Sequence, residues 1–286
     1  MSDLLYEKDA TSHIARVTLN RTQKLNALTV AMYEAIIEAM DDAAEDDDIK
    51  VVILRGAGGC FTSGVDMNEV YAWYDSPEGP GEGRKRRPSQ RRRLVVDRRT
   101  QRVYDRVVFY PKVTIAQVEK YALGGGLEFL MAADLSVVGS GTKLGMPAAR
   151  YLGPVLGDLH LFFHRLGPVL TKDLLLTGRT VMSDEVAHLG IFTRFVPADE
   201  VERTTEELAR LVARMPADGI VIAKEAYRLV EQSMGMALSE VSSYLFHAYA
   251  TNLQFEDDEF NFVRTRSGAG LAESFDKAEE FYEAQP

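Results

Sequence analysis

Short β-branched segments alternate with a helical pattern through the first half of the chain. Strands are predicted at 14–19, 51–55, 113–118 and 135–138, because each segment is short, apolar and bounded by polar or turn residues. Between the first two strands, apolar residues recur at the spacing of an amphipathic helix. These residues are Met32, Ile36, Ala39, Met40 and Ala43. Alternation of strand and helix is typical of an α/β fold.

From about residue 199 onward the pattern predicts helices alone. Apolar residues recur there at helical spacing, and Pro216 is expected to end the first of these helices. We therefore divide the chain into an α/β core, residues 1–198, and a helical C-terminal region, residues 199–286.

Composition is that of a folded protein outside membranes. The chain has 286 residues, of which 46% are hydrophobic, and it contains no run of about 18 apolar residues. Its first residues lack the basic and then apolar order of a secretory signal. The single cysteine, Cys60, excludes an internal disulfide and is expected to be a small buried residue rather than a nucleophile. These features predict a cytoplasmic protein with no membrane partner.

Charge is distributed unevenly along the chain. The net charge is −10, yet residues 84–106 contain ten arginines and one lysine against two aspartates. The cluster begins in a segment rich in Pro, Gly and Ser, residues 76–90, which is predicted to be a loop. The chain thus has one local basic segment in an acidic protein.

Two glycine-containing loops are the strongest indication of chemistry. Three consecutive glycines, 124–126, precede Glu128, and a second loop, 56–70, follows the strand predicted at 51–55. Consecutive glycines are typical of places where another group approaches the main chain closely. Backbone N–H groups from two such loops can converge on one oxygen and stabilise the negative charge that develops there in acyl chemistry.

In these motifs and their order the sequence resembles the enoyl-CoA hydratase/isomerase family, or crotonase superfamily. The resemblance is carried by LNRTQKLNALT (19–29), CFTSGVDM (60–67), LGGGLEFLMAADLSV (123–137), LLLTGRTVMSDEVAHLGIFTRFV (174–196) and the closing GLAESFDKAEEFYE. It implies a crotonase-like spiral of strand-strand-helix turns with a C-terminal helical trimerisation region. It also implies a homotrimer, or a hexamer made of two trimers, and an acyl-CoA substrate with no separate cofactor.

The resemblance assigns roles to individual residues. The backbone N–H groups of Val65 and Gly125 are expected to form an oxyanion hole, and each donor can lower a barrier by about 3 kcal/mol. Glu128 matches the first of two glutamates that hydratases of this family use as acid and base. The alternative is that Glu128 caps or opens a helix, with its charge near the positive end of the helix dipole. Further residues are expected to contact the substrate: Gly64, Asp66, Met67, Trp73, Gly124 and Lys277.

The second catalytic glutamate of the hydratases is missing. Its position, in a Pro-Glu pair after the next strand, holds Ala148. Asp158 lies near the place where other members carry an active-site aspartate, and in its apolar surroundings it is expected to hold a proton. The alternative is that Asp158 caps the following helix. His160 and His164 are expected to be structural, and no spacing suggests a metal site.

Recognition of coenzyme A also departs from the family pattern. Gly59 and Asn68 flank the first loop where lysines are usual, and Lys277 alone remains of the C-terminal basic segment. One hypothesis is that Arg91, Arg92 and Arg93 bind the phosphates instead. Aromatic residues after the first loop are expected to line the acyl pocket or to fill the core: Tyr71, Trp73 and Tyr74.

Three functions remain open. The first is hydration, dehydration or double-bond isomerisation of an acyl-CoA thioester through a stabilised enolate. The second is hydrolysis of a carbon–carbon bond in a β-diketone or ring ketone, which the lost lysines favour, although Ala149 stands where the resemblance implies a histidine in such hydrolases. The third is RNA binding by the arginines with nearby Tyr104, Phe109 and Tyr110, against which the acidic net charge argues.

Overall fold

A six-stranded sheet forms the centre of the protein. The computed structural model describes residues 2–69, 89–152, 158–236, 241–242, 244–246, 253 and 255–283. The sheet has the order β1-β2-β3-β4-β6-β9, in which β1 is antiparallel to β2 and the remaining pairs are parallel. The strands of this sheet are β1 Leu4–Asp9, β2 Ile14–Leu19, β3 Val51–Gly56, β4 Val113–Val118, β6 Leu135–Gly139 and β9 Arg194–Val196.

Three shorter strands form a second sheet, in the order β5-β7-β8. They are β5 Tyr121–Leu123, β7 Lys143–Gly145 and β8 Thr180–Met182. Strand β5 pairs with β7 in parallel, and β7 pairs with β8 in antiparallel orientation. Because β4 leads almost directly into β5, and β6 into β7, the chain passes from the large sheet to the small one at each turn of the fold.

Helices connect and cover the strands. In the first 198 residues they are α1 Val30–Glu45, α2 Gln90–Val108, α3 Gly125–Ala132, α4 Ala149–Leu152, α5 Leu159–Thr177 and α6 Ser183–Val186. The C-terminal region contributes α7 Val201–Ala213, α8 Ala217–Ser233, α9 Phe262–Ala269 and α10 Leu271–Glu283. No helix in the described part of the chain is both long and apolar enough to cross a membrane.

The central strands are buried on both faces. One face of β2, β3 and β4 joins the main hydrophobic core, to which α1 contributes the side chains that its sequence spacing predicted: Met32, Ile36, Ala39, Met40 and Ala43. The opposite face forms a second core, which α7 covers with Val201, Leu208, Ala209 and Ala213. Burial on both faces explains why β3 is a continuous apolar run rather than an alternating one.

The expected fold class is confirmed, with a mixed α/β arrangement followed by a helical region. The four predicted strands correspond to β2, β3, β4 and β6. The division at residue 198 stays a prediction, and α7, on the C-terminal side of it, packs against the central sheet. Cys60 is buried, as expected, and burial raises the pKa of its thiol.

Candidate active site

The segment after β3 and the segment containing β5 lie side by side. The Thr62 amide donates to the Tyr121 carbonyl at 3.0 Å, and the Leu123 amide donates to the Thr62 carbonyl at 3.3 Å. Thr62 and Ala122 therefore face each other as a parallel bridge. Residues that lie equally far beyond this bridge in the two segments come to stand beside each other.

Two glycines allow the segments to touch just beyond the bridge. Gly64 has a φ of +93°, and a Cβ at this position would lie 2.6 Å from the carbonyl oxygen of Leu123. Gly124 has a φ of +53°, and its added Cβ would lie 3.9 Å from the Cα of Gly64. Both positions have a backbone conformation that L-residues rarely adopt, and at Gly64 the other segment also leaves no room for a Cβ.

The next two glycines are required by contacts at the start of α3. A Cβ on Gly125 would lie 2.3 Å from the hydroxyl oxygen of Tyr104, and a Cβ on Gly126 would lie 2.6 Å from the Cγ2 methyl of Thr62. The triple glycine therefore has a reason at each residue, which is the positive φ at Gly124 and a steric clash at Gly125 and at Gly126. Its presence lets α3 begin directly against the loop that follows β3.

The predicted oxyanion donors stand at equivalent places in the two segments. Val65 is three residues beyond Thr62, and Gly125 is three residues beyond Ala122. Leu28 pairs with Val65 through two hydrogen bonds of 2.8 Å. The Leu28 amide donates to the Gly64 carbonyl, and the Asp66 amide donates to the Leu28 carbonyl. Within the described ranges, neither the Val65 N–H nor the Gly125 N–H has an acceptor. For Gly125 this follows from its place as the first residue of α3, where helical N–H groups have no partner in the preceding turn.

Glu128 and Asp158 bring two buried carboxyl groups to the start of α3. Glu128 is in the first turn of the helix and is 7% exposed. Asp158 immediately precedes α5 in a left-handed conformation with a φ of 56° and is 2% exposed. Although Asp158 occupies the N-cap position, its side chain makes no capping hydrogen bond. The capping alternative for Asp158 is therefore wrong.

Asp158 is in surroundings that favour its protonated form. Burial raises its pKa well above the ordinary value of 3.8, and the nearby charges of Glu128 and Asp105 raise it further. Its Oδ2 atom is buried and has no hydrogen-bond partner among the described residues. A carboxyl group that keeps its proton at neutral pH can act as a proton donor.

A pair of tyrosines lies next to these groups and was not predicted as part of the site. The hydroxyls of Tyr33, from α1, and Tyr104, from α2, are 2.9 Å apart and buried. Burial raises the pKa of both phenols, and the charge of Glu128 contributes to both shifts. Tyr33 stands one residue after Met32 and three before Ile36, so the helical pattern of α1 places it on the buried face. Nothing in that pattern indicates a functional role for Tyr33.

Two residues of the first loop have different surroundings. The Asp66 carboxylate accepts from Arg21 at 3.1 Å and from the Asn68 amide at 2.9 Å. Burial acts to raise the pKa of Asp66, but the hydrogen bonds from Asn68 and Arg21 lower it overall. Its side chain thus holds the loop in shape, whereas Met67 is half-buried.

The remaining predicted contact residues lie elsewhere. Trp73, with Tyr71 and Tyr74, falls outside the described residues. Lys277 lies on α10 and forms an ion pair of 2.7 Å with Glu273 on the same helix. Both side chains of this pair are exposed. The role of Lys277 in substrate binding stays a prediction.

Ala148 follows β7 and packs against the main core. Strand β7 ends beside the glycines, since the Gly124 amide donates to the Gly145 carbonyl at 2.9 Å. The segment that carries the second glutamate in hydratases therefore runs close to the candidate site, but here it supplies an alanine. Asp158 is the carboxyl group that the structure places near Glu128 instead.

Helix α2 contains the arginines of residues 91–106, and several of them already have partners. Arg99 pairs with Glu34 at 2.8 Å, and Arg106 pairs with Asp41 at 2.6 Å, both across to α1. Arg93 is 8% exposed, whereas Arg91 is exposed. Arg91, Arg92 and Arg93 are therefore not equivalent as phosphate ligands, because Arg93 lies on the inner side of the helix.

Comparison with known proteins identifies the family of the chain. The family description "Enoyl-CoA hydratase/isomerase" matches residues 9–268. An enoyl-CoA hydratase of Mycobacterium tuberculosis is 30% identical over 80% of each chain, and a short-chain-enoyl-CoA hydratase of Clostridium acetobutylicum is 25% identical over 95% of this chain and 98% of that one. The crystal structure of an enoyl-CoA hydratase/isomerase from Xanthobacter autotrophicus superimposes with a TM-score of 0.79 at 26% identity, covering 98% of both chains. The chain belongs to the enoyl-CoA hydratase/isomerase family and is an enzyme of that family.

Proposed function

We propose that the enzyme moves a proton on an enoyl-CoA thioester through an enolate, in a hydration, dehydration or double-bond isomerisation. The thioester oxygen is bound by the N–H groups of Val65 and Gly125, and the reacting carbons lie beside Glu128 and Asp158. Coenzyme A takes part only as a portion of the substrate, so no separate cofactor is needed.

One observation supports this proposal above all others. Two backbone N–H groups without an acceptor in the described structure stand at equivalent positions of adjoining segments, one turn of helix away from a buried carboxylate. Donors fixed in this way need no reorganisation when negative charge develops on the thioester oxygen. Among the described residues, the Gly125 N–H is free because it begins a helix, and the Val65 N–H stands beside it on a half-buried residue, so both remain available to a ligand oxygen.

The two carboxyl groups come from different elements of the fold, and we assign them different roles. Burial, together with the charges of Glu128 and Asp105, raises the pKa of Asp158 and favours its protonated form, so we assign it the role of proton donor. Glu128, on the helix that carries Gly125, takes the proton from the substrate or from water. Neighbouring carboxyl groups in unlike environments commonly divide acid and base work in this manner.

Hydrolysis of a carbon–carbon bond remains a second candidate, because Gly59 and Asn68 replace the usual lysines beside the first loop. The same N–H pair would stabilise the enolate that leaves in that reaction. Against it, Ala149 provides no base at the position where the resemblance implies a histidine in such hydrolases.

An assay with 2-enoyl-CoA and 3-enoyl-CoA thioesters of several chain lengths tests the proposal. For the wild-type enzyme we expect either of two results. The 2-enoyl-CoA loses the conjugation between its double bond and the thioester carbonyl, or the 3-enoyl-CoA gains it. Glu128→Gln and Asp158→Asn are each expected to lower kcat about 100-fold or more. Glu119→Gln is the matched control, because Glu119 is a half-buried carboxyl with a raised pKa whose neighbours are Gln117, Glu202 and Arg55.

Turnover of a β-diketone with no turnover of any enoyl-CoA would replace the proposed reaction by the hydrolytic one. Equal activity of Glu128→Gln and the wild type would remove Glu128 from the mechanism.

A further inference from the structure

The Tyr33–Tyr104 pair is packed into the wall directly beneath the start of α3. The ring of Tyr104 lies 4.8 Å from that of Phe129 and 6.0 Å from that of Tyr33, centroid to centroid. Phenylalanines could fill this space equally well, so packing alone does not explain two hydroxyl groups in an apolar setting. Burying hydroxyl groups is costly unless they serve as hydrogen-bond partners.

The hydroxyls face the side of α3 that carries Glu128. An added Cβ on Gly125 would lie 2.3 Å from the hydroxyl oxygen of Tyr104 and 3.2 Å from that of Tyr33. Residues three apart in a helix share a face, so Gly125 and Glu128 lie on the same side of α3. The tyrosine pair thus adjoins both a predicted oxyanion donor and the predicted base.

A proton remains after the two hydroxyls have bonded to each other. Each tyrosine brings one O–H proton, and the contact of 2.9 Å between their oxygens uses one of the two. Either hydroxyl can be the donor in this contact, and when Tyr33 donates, the proton of Tyr104 remains to interact with its surroundings. The charges that act on Tyr104 are those of Glu128 and Asp158, whereas Glu128 alone of the two acts on Tyr33.

Interaction between a carboxylate and a phenol is mutual. A negative charge that makes the phenol harder to ionise is itself stabilised by the O–H dipole of the neutral phenol. Among the described residues, the titratable groups on which the charge of Glu128 acts include Tyr33 from α1, Tyr104 from α2 and Asp158 at the start of α5, while Asp105 acts on Asp158. In this set the tyrosine hydroxyls and the protonated Asp158 can offer a proton to a carboxylate without being charged, and the two phenols stay neutral over the whole pH range in which Glu128 titrates.

We propose that Tyr104, held in place by Tyr33, is a positioning residue of the active site whose hydroxyl stabilises the ionised carboxylate of Glu128. The catalytic consequence, that Glu128 is available as a base at lower pH, rests on the proposed function. The effect of Tyr104 on the titration of Glu128 can be tested independently of that function.

Carbon-13 NMR of protein labelled at the glutamate carboxyl carbons measures the effect without any substrate. The signal of Glu128 is assigned from its absence in Glu128→Gln. Tyr104→Phe is expected to raise the titration midpoint of Glu128 by about one pH unit. In the same variant, kcat for the enoyl-CoA substrate is expected to fall about tenfold on the acid side of the pH profile, with KM almost unchanged.

Tyr110→Phe provides the matched control. Tyr110 follows α2, is buried, and donates from its hydroxyl to the Met40 carbonyl at 2.8 Å, while the charges near it are Arg106, Asp41 and Asp42. This variant loses one buried tyrosine hydroxyl, as Tyr104→Phe does, but is expected to leave the Glu128 midpoint and the pH profile unchanged.

An unchanged Glu128 midpoint in Tyr104→Phe would overturn the proposal, and so would an equal shift in Tyr110→Phe. If Tyr104→Phe does not fold, Tyr33→Phe carries the same test, with a shift of the same sign expected. Absence of enoyl-CoA turnover by the wild type would contradict the proposed function but leave the NMR result to decide the role of Tyr104.

Discussion

Gly64 and Gly124 lie against each other, and a Cβ on Gly124 would be only 3.9 Å from the Cα of Gly64. This contact joins the loop after β3 to the start of α3. Since Val65 and Gly125 follow these two glycines directly, the contact also sets the separation of the two N–H groups that we propose as oxyanion donors.

Gly64→Ala is expected to disrupt this arrangement. The added methyl would lie 2.6 Å from the Leu123 carbonyl oxygen, in a backbone conformation that alanine disfavours, so the Val65 N–H must move. Loss of one oxyanion donor lowers kcat by about 100-fold or more. Steady-state kinetics on the enoyl-CoA substrate measure the effect.

Gly59→Ala is the control for this change. Gly59 is in the same loop and also has a positive φ, +64°, but its added Cβ would meet nothing within 4 Å. We expect a loss of stability of about 1 kcal/mol from the backbone conformation, with kcat close to wild type. Equal loss of kcat in both glycine variants would show that backbone strain, rather than donor position, controls activity.

Asp158 is expected to make stability depend on pH. Its folded-state pKa lies above the unfolded value. The protonated side chain therefore contributes its full share to the free energy of unfolding below about pH 4, and this contribution is lost as pH rises through the folded pKa. Asp158→Asn keeps a neutral side chain at all pH values. Relative to the wild type, its free energy of unfolding in urea is therefore expected to increase as pH rises.

Asp173→Asn should show the opposite trend. Hydrogen bonds from Arg179 lower the pKa of Asp173, so its ionised form stabilises the native state above about pH 4 and that stability is lost in acid. The asparagine variant is expected to become less stable than the wild type as pH rises. The same trend in both variants would contradict the assignment of a neutral Asp158.

The arginines of α2 offer a test of coenzyme A recognition. Arg91 is exposed near the start of the helix, whereas Arg99 is bound to Glu34. If arginines replace the missing lysines, Arg91→Gln weakens binding of a CoA thioester about three- to tenfold at low salt, and Arg99→Gln has little effect. Calorimetric titration at two salt concentrations gives both values. A salt-dependent shift of single-stranded RNA in a gel, with CoA binding unchanged, would favour the RNA-binding alternative.

Assembly is predicted from an exposed apolar surface on α8. Its large exposed side chains include Ile222, Tyr227 and Leu229, each more than 60% exposed in the single chain. Such a surface on one helix is unfavourable in water unless another chain covers it. Light scattering is expected to give a trimer or hexamer, and Leu229→Asp a smaller species. A wild-type monomer would contradict this prediction.

Much of the fold could be predicted because apolar periodicity is a local signal. The spacing of Met32, Ile36 and Met40 is enough to identify α1, and the β-branched run of β3 identifies a buried strand. Strand β1, with exposed Glu7 and Lys8, lacks such a pattern, and β5, β7 and β8 have only three residues each. Their positions depend on pairing with distant segments, which a single sequence does not reveal.

The candidate site was partly predictable for a similar reason. Glycines 124–126 and Glu128 stand within one motif, so sequence alone connects them. Tyr33 and Tyr104 are 71 residues apart and meet only because α1 packs against α2. The Oδ2 atom of Asp158 has no hydrogen-bond partner among the described residues, and this is likewise a property of the folded surroundings rather than of its neighbours in sequence.

The central claim is that Val65 and Gly125 bind the oxygen of an acyl-CoA enolate. Calorimetric titration with acetoacetyl-CoA, a non-reacting enolate mimic, tests it most directly when the wild type and Gly64→Ala are compared. The account predicts binding in the micromolar range for the wild type, weakened about tenfold or more in Gly64→Ala but not in Gly59→Ala. Absence of binding to the wild type, or equal binding by all three proteins, would contradict it.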